Sequence, residues 1–178
     1  YYNNKIQLHN FVKNLLISKL NENESKVLHS IFARNLSKFK SNKSTFLRLF
    51  HEIKSEDRIN ESWIKETGVS ICTEFPSKSS ALFHEQINKF DSDGEYYWYA
   101  AISECELGNG EIAKKLFDNA QKFGVLEKRQ TDALKLNCRI SRLNGEIEKA
   151  EEIIKKIEFK TELEKTQYLI GETSRKID

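Results

Sequence analysis

Apolar residues fall at three- and four-residue steps along most of this chain, the spacing that gathers side chains on one face of an α-helix. Ile6, Leu8, Phe11, Val12, Leu15 and Leu16 form one such stripe, predicting a first helix over 4–20 ahead of the polar break Asn21-Glu22-Asn23-Glu24. Val27, Leu28, Ile31, Phe32 and Phe39 extend the pattern through a second helix ending near Ser41-Asn42. Ser44 is placed to cap a third, with Phe46, Leu49, Phe50 and Ile53 on its inner face. Beyond Asn60 the rhythm tightens. Helices are expected near 61–74 and 77–90, parted by Phe75-Pro76-Ser77, where proline suits a boundary. After the loop Asp91-Ser92-Asp93-Gly94, further helices are expected near 95–107, 110–123, 127–143, 146–157 and 161–175. Asn109, Asn144 and Thr161 are the expected N-caps, and Thr161-x-x-Glu164 reads as a capping box. About ten helices with short connections imply an all-α chain of stacked hairpins, an α-α superhelix.

A second periodicity lies over the first. Tyr97, Ala101, Gly108, Ala113, Phe117 and Ala120 are answered 37 residues later by Leu134, Cys138, Gly145, Ala150, Ile154 and Ile157. Large, small, Gly, Ala, large and apolar seats recur in order, which suits two antiparallel helices joined at a tight glycine turn. The string Asn-Gly-Glu-Ile recurs at 109 and 144, a rival offset of 35, but that register would set Glu148 opposite Ala113. A hairpin of this kind cannot bury its apolar face alone, so it must stack on neighbours.

Residues 97–120 read Tyr97-x2-Ala100-Ala101-x2-Glu104, then Gly108, then Ala113-x3-Phe117-x2-Ala120, and this resembles the tetratricopeptide repeat. Three features differ from that family's pattern: Glu104 stands at a usual Tyr, Val125 at a frequent Pro, and about three extra residues lie near 123–128. The resemblance implies N-terminal helices over 1–60 packed on an array over 61–178, a single continuous solenoid. It also implies that the first helix of each hairpin lines a concave groove. Trp98, Tyr99, Ile102 and Cys105 would then face the groove from one helix, and Lys135, Leu136, Arg139 and Arg142 from the next. Aromatic rings beside Arg forks suit an extended peptide or a partner helix. The function so implied is non-catalytic protein or peptide binding within a regulator or scaffold.

Composition agrees with helices, since the 178 residues hold one Pro and seven Gly. Cys72, Cys105 and Cys138 each fall inside an expected helix among apolar neighbours, as buried thiols of a reduced, cytoplasmic protein would. No window approaches the ~20 apolar residues that a membrane-spanning helix needs. The sequence opens at Tyr1 and holds no Met, as expected of a piece excised or processed from a longer protein. His9, His29, His51 and His84 are scattered without metal-ligand spacing, and neither a phosphate-cradling glycine cluster nor a nucleophile elbow is present. No metal, cofactor or enzymatic activity is therefore expected. Charge is uneven: residues 1–60 carry 11 basic against 5 acidic residues, and 61–178 carry 18 against 22. Arg34, Lys38, Lys40, Lys43 and Arg48 run without one acidic residue between them and offer an alternative, a nucleic-acid contact. A structural spacer or self-association domain is the third reading.

Overall fold

The computed structural model of the chain describes residues 19–55, 61–89 and 94–174. Residues 1–18, which hold most of the expected first helix, lie outside them, as do 56–60 and 90–93. The described residues are helical throughout their regular structure, with no strand. In order they form α1 (Glu22–Leu36), α2 (Asn42–Ser55), α3 (Glu61–Glu74), α4 (Pro76–Lys89), α5 (Gly94–Glu106), α6 (Gly110–Lys122), a 3-10 turn (Leu126–Lys128), α7 (Gln130–Leu143), α8 (Ile147–Lys156) and α9 (Glu162–Ser174). Two compact units emerge, Tyr1–Thr67 and Gly68–Asp178, dividing inside α3.

In the first unit α1 packs on α2. The polar run expected as a break is instead the start of α1, because Asn21 Oδ1 accepts from the Glu24 N–H at 2.9 Å while Glu24 accepts from the Asn21 N–H at 2.9 Å. Ser44 is not the cap of α2. Ser41 takes that part, its Oγ accepting from the Ser44 N–H at 3.2 Å, and Ser44 is buried in the first turn. Phe46, Leu49 and Ile53 are buried as their spacing implies. The stripe on α1 behaves otherwise: Val27, Leu28, Ile31 and Phe32 are exposed, and Phe39 lies beyond the helix end. The line that meets α2 runs through His29, bonded to His51, through Phe32, whose ring stacks 5.1 Å from that of His51, and through the buried Ala33.

The second unit follows the pattern closely. Consecutive helices pack in chain order from α4 to α8, and α5 also touches α7, so the first helices of successive hairpins meet. Residues 97–105 of α5 are all buried, as in a helix enclosed on every side. The expected helix start at 127 is taken by the 3-10 turn, and α7 begins at Gln130.

The 37-residue offset reappears in the backbone. Gly108 and Gly145 both adopt positive φ, 78° and 76°. The next N–H in each case reaches back five residues, Asn109 to Glu104 at 2.9 Å and Glu146 to Ser141 at 2.8 Å, a Schellman ending twice over. Ala113 bonds to Asn109 and Ala150 to Glu146 in the same way, and both alanines are buried, as are Ala101 and Cys138. Asn109 therefore corresponds to Glu146, not to Asn144. Asn144 closes α7 rather than opening α8, and Asn109 makes no side-chain cap because its amide is drawn to Glu104 at 2.7 Å. Thr161 does cap: its Oγ1 accepts from the Glu164 N–H at 3.1 Å, while the Glu164 carboxylate takes the Lys160 N–H at 2.9 Å.

Candidate functional site

An open cavity of about 430 Å³ lies in the second unit. Its walls come from alternate helices. Val69 and Thr73 of α3 stand one turn apart, Trp98, Ile102 and Glu106 of α5 continue at four-residue steps, and Tyr168 closes the side on α9. From α7, Asp132, Lys135, Leu136 and Arg139 follow the three- and four-residue steps of one helical face. The intervening α4, α6 and α8 contribute no lining residue.

The floor is apolar and the rim charged. Trp98, Ile102 and Leu136 are buried, while Val69 remains 45% exposed at the edge. Trp98 is held from outside the cavity, for Arg129 sits 5.5 Å over its ring and is itself anchored on Glu95 at 2.7 Å. Its indole Nε1 is buried without a hydrogen-bond partner among the described residues. At the rim Arg139 donates to Glu106 Oε2 at 2.9 Å, makes a second bond to Glu106 Oε1, and donates to the Cys105 carbonyl at 3.2 Å. That fork ties α7 to the C-terminal end of α5, where carbonyls lack helical partners. Lys135 pairs with Glu164 at 3.1 Å and lies 5.9 Å over the Tyr168 ring. The Lys160 N–H, with Lys135 adding to it, holds the Glu164 carboxyl below the usual carboxylate range. Asp132 is exposed in the first turn of α7 and makes no ion pair or side-chain hydrogen bond among the described residues.

Of the expected groove residues, Trp98, Ile102, Lys135, Leu136 and Arg139 line this cavity. Tyr99 does not. It is fully buried, stacked on Phe83 at 5.3 Å, against Gly68, with its hydroxyl accepting from Arg129 at 3.3 Å, and burial pushes its phenol up to about 12. One residue of helix turns a side chain by about 100°, enough to send Tyr99 inward while Trp98 reaches the cavity floor. Cys105 is buried outside the lining, and Arg142 is half-buried in the last turn of α7, also outside it. Lys135 and Arg139, two of the cations expected to face the groove, are already paired with glutamates. Sequence spacing could not show this, since Glu106 lies 33 and Glu164 29 residues from their partners. Asp132 and Tyr168 carry no signal in the sequence that would mark them as lining residues.

The alternative stretch is split. Arg34, Lys38, Lys40 and Lys43 are exposed around the α1–α2 connection with Phe39 among them, whereas Arg48 is half-buried and donates to Glu52 at 2.7 Å. Phe46, the other interleaved ring, belongs to the core. Cys72, Cys105 and Cys138 are buried thiols outside any disulfide, and burial pushes Cys72 up to about 12, far from a reactive thiolate. Among the described residues no cluster of three or more potential metal ligands occurs, and no helix is long and apolar enough to cross a membrane. No protein-family model, curated protein or solved structure matches the chain.

Proposed function

We propose that the chain is a non-catalytic protein-interaction module, tetratricopeptide-like, that holds a peptide or a segment of a partner protein in its groove within a cytoplasmic regulator or scaffold. The observation that carries this reading is the origin of the cavity walls in α3, α5, α7 and α9 alone. Alternate helices from α3 to α9 thus face a shared trough, the geometry by which stacked hairpins present an inner surface. An apolar floor with a polar rim is the division of labour found in peptide-binding grooves.

The test is selection of a random phage-displayed peptide library on the purified chain, with Ile102→Arg as the comparison. Binders enriched on the wild type are expected to lose at least tenfold in affinity on the variant, about 1.4 kcal/mol, with far-ultraviolet circular dichroism unchanged. Binders indifferent to Ile102→Arg, or none at all, overturn the reading. The exposed cations and Phe39 of the α1–α2 connection favour a second reading, contact with a nucleic-acid strand.

A further inference from the structure

Resting on the groove reading above, the charges around the cavity can be summed group by group. Arg139 and Glu106 cancel, held together by two bonds with a third from Arg139 to the Cys105 carbonyl. Lys135 and Glu164 cancel likewise. What remains on the cavity lining is the Asp132 carboxylate. It stands exposed in the first turn of α7. An acidic ligand would have to displace Glu106 or Glu164 from its cation and would meet Asp132 as a like charge. A cation meets an open carboxylate without breaking any bond the chain has made. Beside it lie the apolar surfaces of Ile102, Leu136 and Trp98 on the floor and Val69 at the edge.

We propose that the groove takes a basic, apolar peptide segment. An aliphatic or aromatic side chain rests on Ile102 and Leu136, and a lysine or arginine within a turn of it pairs with Asp132. Specificity comes from the single unbalanced charge, affinity from the floor.

The peptides enriched in the library selection are the probe. Lysine or arginine next to a large apolar residue should dominate them. A synthetic peptide of that consensus should bind Asp132→Asn at least fivefold more weakly than wild type in low salt, with the gap narrowing as salt screens the pair. An unchanged melting temperature for Asp132→Asn assigns the loss to the contact. Peptides that lose affinity on Ile102→Arg yet lack cations, or bind Asp132→Asn as well as wild type, overturn this inference and leave the groove standing. Acidic peptides that depend on Lys135 overturn it in favour of the opposite polarity. Peptides unaffected by Ile102→Arg remove the groove itself, and this inference with it.

Discussion

Glu104 is 4% exposed, and its carboxylate is met by the Ser80 hydroxyl at 2.5 Å, the His84 Nε2 at 3.1 Å and the Asn109 amide at 2.7 Å. Burial pushes the group up, but the hydrogen bonds from Ser80, Asn109 and His84 outweigh it and hold the carboxyl below its ordinary range. The unfolded chain therefore binds the proton more readily. Stability from Glu104 is complete above about pH 4.3, the unfolded carboxylate value, and is lost as pH falls through the lower folded value. Glu104→Gln should cost about 2 kcal/mol at pH 7. Urea unfolding of both proteins should show that gap closing below about pH 4. From sequence, Glu104 could be noted only as a departure from the tetratricopeptide pattern. Ser80 and His84, on another helix, gave it no local signal, because a buried polar network is assembled by packing and leaves no period in the chain.

At the scale of elements, the helix boundaries from α3 onward fall within a few residues of those that spacing predicts, because glycine turns, one proline and Thr161 punctuate the chain there. Where such punctuation is weak the outcome differs: α1 ends five residues short of Ser41, and its apolar stripe is left outside. Which side of α1 meets α2 was not legible, since the contact centres on His29, Phe32 and a single alanine and leaves Val27, Leu28 and Ile31 exposed. The two equivalent turns make a direct prediction. Alanine at Gly108 or at Gly145 meets no neighbouring atom, so each substitution costs only the left-handed backbone, about 1 kcal/mol, and thermal melts should show equal losses. The His29–His51 pair predicts a pH effect in the α1–α2 hairpin. Its two Nδ1 atoms lie 2.7 Å apart, so one must stay bare to accept. Burial, with Lys54 nearby, lowers the proton affinity of His29. The unfolded hairpin then binds more protons, so stability is full above the unfolded value of about 6.5 and falls as pH drops below it. Hydrogen-exchange protection of α1 and α2 should decrease between pH 7.5 and 5.5, and His29→Gln should flatten the change.

Across the whole molecule, charge and groove tell two stories. Residues 1–60 hold an excess of six positive charges, 11 basic less 5 acidic, and 61–178 an excess of four negative, 22 less 18. If the exposed cations at 34–43 meet phosphates, affinity for a single-stranded oligonucleotide should fall about three orders of magnitude per tenfold rise in salt, from four contacts at ~0.7 each. Lys38→Glu with Lys40→Glu should flatten that slope, and a slope near zero in the wild type removes the nucleic-acid reading. All-α architecture and the 37-residue offset could be read from the sequence because each is a matter of spacing. The pairing that silences Lys135 and Arg139 could not, because it joins residues that only stacking brings together.

The twin glycine endings carry one more consequence. Since the bonds at 104–113 recur at 141–150, a chain with residues 108–144 written twice in succession would enter and leave the added stretch in phase. The protein can thus grow by whole cassettes, gaining reach without redesigning a joint.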